Sequence, residues 1–214
     1  MPKFQPRVAV CEVSSLLTLD QWKDRVDALA DLGFQCITIS GENPFAWPHW
    51  REVANYIRER DRGLSMISNA CCISDYDATY LSEIGTCTIS LIIEGLKHGL
   101  FDSTLSSIVS LKRSSIRVCV ITPVNKINFE ELPLMKTLLT GSGVDLWQLE
   151  VKNHSITPDQ YLRFMEFVGR SQNEYENERQ MMKVQMTFEA SHCMCNECGC
   201  VIRVKEDGDF ERCS

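Results

Sequence analysis

A chain of 214 residues, 44% hydrophobic and 24% charged, can bury a sizeable core and has the make-up of a globular protein, which excludes global disorder. Its formal charge of −7, with both signs interspersed, leaves no basic stripe for a phosphate backbone, so nucleic acid is not an expected partner. No apolar run approaches the roughly 20 residues that cross a bilayer, and the opening Met1-Pro-Lys-Phe-Gln-Pro-Arg7 has no secretory pattern; no membrane association is expected, and the cytoplasm is the expected location.

In chain order, the first strand is expected over Arg7 to Val13. A capping box, Thr18-Leu-Asp-Gln21, then opens a helix whose Trp22, Val26 and Leu29 share one face. Glycines mark the next joints: Gly33 before the strand Phe34 to Ser40, Gly63 before Leu64 to Ser68, Gly85 before Thr86 to Ile93, and Gly143 before Val144 to Val151. A glycine just past a helix end adopts the left-handed conformation that other residues resist. Trp50, Val53 and Ile57 form the inward stripe of the second helix, and Ile116 to Thr122 is the fifth strand. Asn128-Phe-Glu-Glu131 and Thr157-Pro-Asp-Gln160 read as further helix starts. Six continuously apolar strands alternating with helices imply right-handed βαβ crossovers and a parallel sheet, an α/β fold of six units in a partial barrel spanning residues 1–170.

The composition then changes. Residues 171–181 are polar and acid-rich, as in a linker, and residues 182–214 read as a small cysteine-rich appendage. Met182 to Phe188 alternates like a strand, and Val201 to Val204 and Asp209 to Arg212 flank Glu-Asp-Gly, a hairpin signal. Of the eleven cysteines, Cys11, Cys36, Cys71, Cys72, Cys87 and Cys119 lie in apolar segments and read as small buried hydrophobes. The other five, Cys193, Cys195, Cys198, Cys200 and Cys213, cluster in the appendage. In a reducing compartment such a cluster reads as metal ligands, with iron–sulfur or zinc both open. For zinc, Cys195 and Cys198 have the two-residue spacing, with Cys200, Cys213 or His192 completing a tetrahedron. His49, His98 and His154 have no paired ligand and read as loop or surface residues.

In parallel barrels, functional groups gather where the loops leave the C-terminal strand ends. Those positions hold Ser40, Gly41, Glu42 and Asn43 after the second strand, Ser68 and Asn69 after the third, Glu94 after the fourth, Asn125 after the fifth, and Glu150 and Lys152 at the sixth. No Ser-His or Cys-His pair stands at a spacing that names a nucleophile or base, so no catalytic residue is assigned.

Several of these segments, in this order, resemble the radical S-adenosylmethionine (SAM) superfamily, whose core is a six-unit partial barrel. Ile39-Ser-Gly-Glu-Asn-Pro-Phe-Ala-Trp-Pro48 looks like that family's Gly-Gly-Glu-Pro segment, Met66-Ile-Ser-Asn-Ala70 like its Thr-Asn-Gly, Ser90-Leu-Ile-Ile-Glu-Gly95 like its strand-four exit, and Pro123-Val-Asn-Lys-Ile-Asn-Phe-Glu-Glu131 like its strand-five exit. The resemblance implies a cofactor site for SAM at Gly41, Glu42, Asn43, Ser68, Asn69, Glu94 and Asn125. It also implies three cysteines in a loop after the first strand, holding a four-iron cluster. Here Cys11 stands alone, and the chain passes through Glu12-Val-Ser-Ser15 almost directly into the first helix. Glu42 and Asn43 replace the family's second glycine and glutamate, and Ala70 stands in place of a glycine.

The tail is similar to the opening of the auxiliary-cluster (SPASM or twitch) segment of radical enzymes that modify peptides: Cys198, nine residues, Gly208, four residues, Cys213. With the sequence ending at Ser214, one site at most is expected there. The expected protein is thus a radical SAM-like iron–sulfur protein, degenerate or accessory. It would have one C-terminal metal site, a four-iron cluster or alternatively zinc, and a mouth for SAM, a peptide or a partner protein. A structural zinc protein with an inert barrel, or a SAM-binding enzyme without radical chemistry, are the alternatives.

Overall fold

The computed structural model describes residues 8–13, 17–69, 73–97, 99–152, 155–177, 182–188, 201–204 and 210–212. Strands β1 (Val8–Glu12), β2 (Cys36–Gly41), β3 (Gly63–Ser68), β4 (Thr88–Ile92), β5 (Val118–Val124), β6 (Leu146–Val151) and β7 (Lys183–Phe188) lie side by side in consecutive order, all parallel. Between them run α1 (Leu19–Asp31), α2 (Trp50–Glu59), α3 (Asp75–Glu83), α4 (Phe101–Arg113), α5 (Leu132–Gly141) and α6 (Pro158–Asn177). A right-handed crossover that always steps to the next strand in the same direction keeps every helix on one face of the sheet.

The two faces follow from the register. One row, Cys11–Ile39–Met66–Ile89–Val118, is wholly apolar, belongs to the buried core and packs with the helical stripes Trp22, Val26, Leu29 and Trp50, Val53, Ile57. The neighbouring row, Glu12–Ser40–Ile67–Ser90–Cys119, points the other way and is largely polar. Further along that face come Gln148 and Glu150, with the Gln148 amide donating to the Glu150 carboxylate at 3.0 Å. Among the described residues, the sheet therefore has a greasy side covered by helices and a polar side free of them.

Local chemistry explains the boundaries. The Thr18 hydroxyl accepts from the Gln21 amide at 3.3 Å while the Gln21 side chain accepts from the Thr18 amide at 2.9 Å, the reciprocal capping box expected for α1. Thr157 and Gln160 repeat it at α6. Gly33, Gly85 and Gly143 take positive φ after α1, α3 and α5 as expected, but after α2 the left-handed residue is Asp61 (φ 56), and Gly63 is instead the first residue of β3.

The tail departs from a separate appendage. A seventh parallel strand, β7, joins β6, so the sheet exceeds the six units expected. Helix α6 continues to Asn177, through much of the stretch read as a linker. The hairpin is present: β8 (Val201–Val204) and β9 (Phe210–Arg212) pair antiparallel, but β8 also lies parallel to β1, so the hairpin extends the same sheet. Its register was not legible locally, because parallel pairing partners are distant in sequence.

Trp147 is fully buried, and its indole N–H donates to the Thr122 hydroxyl at 3.0 Å, tying β6 to β5 beneath α6. Thr122→Val keeps the shape and removes the acceptor, so an unfolding titration in urea should show a loss of about 1–3 kcal/mol.

Candidate functional site

The strand exits form one cavity of about 140 Å³, lined by Glu42, Asn69, Glu94, Gly95 and the first turn of α4 at Leu100, Phe101 and Thr104. Three of the seven expected cofactor residues, Glu42, Asn69 and Glu94, thus meet in one place. Among the described residues the lining carries two carboxylates and no basic side chain, so its local field favours a cationic ligand group.

The other four play supporting parts. Ser68, 1% exposed, donates its hydroxyl to the Glu42 carbonyl at 3.3 Å, and the Asn69 amide donates to the same carbonyl at 3.0 Å, pinning the β2 exit to the β3 exit. Gly41 lies against Val13: a β-carbon on it would meet the Val13 side chain at 3.5 Å. Asn43 is exposed and precedes the short turn Pro44–Ala46 without a side-chain cap. Asn125 shapes its own loop, its side-chain oxygen accepting from the amides of Ile127 at 2.8 Å and Asn128 at 3.1 Å.

Asn128 and Glu131 were read as a helix-capping pair. Asn128 makes no cap. Buried behind the cavity, it donates from Nδ2 to the Glu94 carbonyl at 2.6 Å and the Pro123 carbonyl at 2.8 Å, and accepts from the Asn125 amide at 2.9 Å. The Glu131 carboxylate accepts from the Leu96 amide at 2.7 Å, and a β-carbon on Gly95 would stand only 2.8 Å from its Oε2. Together they latch the β4 exit to the β5 exit, and Gly95 is required by that close approach. The three-residue spacing was the visible signal, but the same spacing serves a cap and a cross-loop latch alike.

Among the described residues, none at this mouth offers a thiol for a cluster; Cys71 and Cys72, which follow Asn69 in the sequence, lie outside the described residues. Cys11 is 0% exposed in the apolar row under the helices, turned away from the polar face, and burial pushes its thiol up to about 12. No cysteine stands between Cys11 and Cys36, and among the described residues no group of three or more His, Cys, Asp or Glu is placed to hold a metal. Cys119, on the polar face, is also buried, with its thiol pushed up to about 12 by desolvation. The tail candidates Cys193, Cys195, Cys198, Cys200 and Cys213 lie outside the described residues, as do His98, His154 and His192. His49 is partly exposed and 3.9 Å from Glu52. No helix among the described residues is long and apolar enough to cross a membrane.

Asn128→Ala strands two buried carbonyls and an amide. Stability should fall by about 2–3 kcal/mol, and the Leu96 and Asn125 amides should exchange hydrogen faster than those of distant strands. Both are read in one native-state exchange experiment.

No protein-family profile matches the chain. Two curated proteins of Methanosarcina barkeri (strain Fusaro / DSM 804) do. Its Fe-coproporphyrin III synthase is 26% identical over 137 residues, covering 60% of this chain and 34% of that protein. Its AdoMet-dependent heme synthase is 25% identical over 126 residues, covering 54% and 36%. The chain thus spans about a third of the length of these relatives. Among solved structures, Streptococcus suis SuiB bound to S-adenosylmethionine superposes with a TM-score of 0.72 at 12% identity, covering 97% of this chain and 60% of that one. SuiB bound to its precursor peptide SuiA gives the same TM-score, with 59% of that chain covered. Native anSMEcpe with bound AdoMet and a peptide gives 0.66 at 11% identity, covering 84% and 63%. At such identities these likenesses are ones of fold. Together with the sequence likeness to the two synthases, they agree with the resemblance to the radical S-adenosylmethionine superfamily carried by the ordered strand-exit segments.

Proposed function

We propose that this chain is a radical SAM-type iron–sulfur protein of degenerate or accessory kind. Its strand mouth takes SAM or a peptide, its C-terminal cysteines hold a metal, and its own residues supply no four-iron cluster at the mouth. The observation that carries this reading is the placement of Cys11 in the core under the helices, with no other thiol before Cys36. The resemblance to radical SAM proteins implies an iron–sulfur cluster and SAM; the described residues of the mouth fit the second and not the first.

For SAM, Glu42 and Glu94 offer acceptors to a cationic group, and Asn69 an amide between them. A cavity of about 140 Å³ is below the roughly 300–1,000 Å³ of a whole small-molecule site, so it takes the amino-acid end of a ligand whose remainder extends beyond it. A peptide is supported as the alternative occupant by the SuiB structure with its precursor peptide. Ser40 and Glu150, half-buried on the polar face of the sheet, supply donors and acceptors for one.

For the metal, Cys200 immediately precedes Val201 and Cys213 immediately follows Arg212 in the sequence. The pairing of Ile202 with Arg212 brings together the two strand ends to which they are joined. That supports ligands drawn from Cys193, Cys195, Cys198, Cys200 and Cys213. Thiolates at this density suit an iron–sulfur cluster, with zinc as the alternative.

Calorimetric titration with SAM tests the mouth. Binding should appear with added thermal stability, about 2.7 kcal/mol at a hundredfold excess over Kd. Glu42→Gln and Glu94→Gln should each weaken it roughly 10- to 100-fold through loss of a charge-assisted contact. Absence of both heat and stabilisation would overturn the SAM reading and leave the peptide.

A further inference from the structure

Four of the cysteines read as small buried hydrophobes lie among the described residues, and two do not behave that way. Cys36, the first residue of β2, is only partly buried, and Cys87, just before β4, is exposed. Between their strands stands Gly63, the first residue of β3 and the register partner of Cys36. A β-carbon placed on Gly63 would lie 3.4 Å from Cys36 Sγ and 3.4 Å from Cys87 Sγ. The two sulfurs therefore lean from opposite sides into the space a side chain would fill, and stand within twice that distance of each other. Gly63 is not needed there for its backbone, because Asp61 makes the left-handed turn and Gly63 has no positive φ.

A direct disulfide is excluded by the sheet. Cys36 and Cys87 belong to strands with β3 between them, about 9–10 Å apart at a spacing of roughly 4.8 Å per strand, whereas a disulfide needs Cα atoms within about 7 Å. A soft ion with metal–sulfur bonds of about 2.3 Å spans up to roughly 4.6 Å between sulfurs, which the gap over Gly63 admits. No third ligating group joins the pair among the described residues, so a four-coordinate ion such as zinc does not fit and a two-coordinate one does.

The surroundings suit the charge that such a site carries. Arg58 is fixed at this end of the sheet by donating to the Ile84 carbonyl at 2.8 Å and the Arg62 carbonyl at 2.7 Å, and Ser65 Oγ lies 3.6 Å from Cys36 Sγ. Burial raises the Cys36 thiol above its ordinary range, while Ser65 and Arg58 pull the other way.

We propose that Cys36 and Cys87 form a two-thiolate site for a soft monovalent cation of the copper(I) class, bridged over Gly63 at the N-terminal ends of β2, β3 and β4. Binding releases two thiol protons and leaves a complex of single negative charge beside the Arg58 guanidinium. The site lies at the opposite end of the strands from the mouth and stands independently of the function proposed for it.

Silver(I), which is redox-stable, is the probe. The full chain is equilibrated anaerobically with silver(I) in the presence of competing glutathione, then labelled with a maleimide, and labelling rates are read cysteine by cysteine from peptide masses. Residue-level readout keeps the tail thiols separate. Labelling of both Cys36 and Cys87 should slow by roughly tenfold or more. Cys87→Ser should restore the Cys36 rate and Cys36→Ser the Cys87 rate, while Gly63→Ala, whose methyl fills the gap, should restore both. Silver protection of Cys36 that survives Cys87→Ser, or no protection of either thiol in the unaltered chain, would overturn the proposal. The two serine variants decide it even where Gly63→Ala fails to fold.

Discussion

The consecutive parallel order of β1 to β7 is the constraint on which the rest depends. Each crossover steps the same way and carries the same hand, so every helix is driven to one face, and the apolar rows of all the strands must turn toward it. That leaves a polar face, from Glu12 and Ser40 through Ser90 to Gln148 and Glu150, with no helix among the described residues on it. It also gathers the strand exits at one end, where backbone leaving β2, β3, β4 and β5 must be held in place. Two devices do this: the Glu42 carbonyl takes donors from the β3 exit, and Asn128 with Glu131 latches the β4 and β5 exits.

The same constraint decides the fate of Cys11. Alternation along β1 places Ala9 and Cys11 with the helix-facing row and Val10 and Glu12 on the other face. The loop after Glu12 supplies no thiol either, since no cysteine stands between Cys11 and Cys36. The parallel scaffold thus carries acidic and amide groups at its mouth, while the β8–β9 hairpin, whose flanking sequence is rich in cysteine, lies on the β1 edge.

Much of the fold was legible because its signals are local. Thr18 with Gln21, and Thr157 with Gln160, cap the helices they were expected to open, and the strands fall within about two residues of the apolar runs that marked them. What was not legible depends on partners far away in sequence. Lys183–Phe188 read as a strand, yet its alternation could not say that it would extend the parallel sheet beside β6. Asn128 and Glu131 had a capping signature, and only the arrival of Gly95 and Leu96 beside them turned it into a latch. Gly63 looked like a helix terminator; its use as a gap between two sulfurs emerges only when β2, β3 and β4 are aligned.

The most direct test of the account is iron and sulfide analysis, with paramagnetic resonance, of anaerobically reconstituted protein with and without SAM. The account predicts iron and sulfide that vanish when Cys198, Cys200 and Cys213 are replaced by serine, survive Cys11→Ala, and yield no cleavage of SAM. A four-iron signal that changes on adding SAM and persists in the triple serine variant would contradict it, and stoichiometric zinc without iron would replace the cluster in the tail.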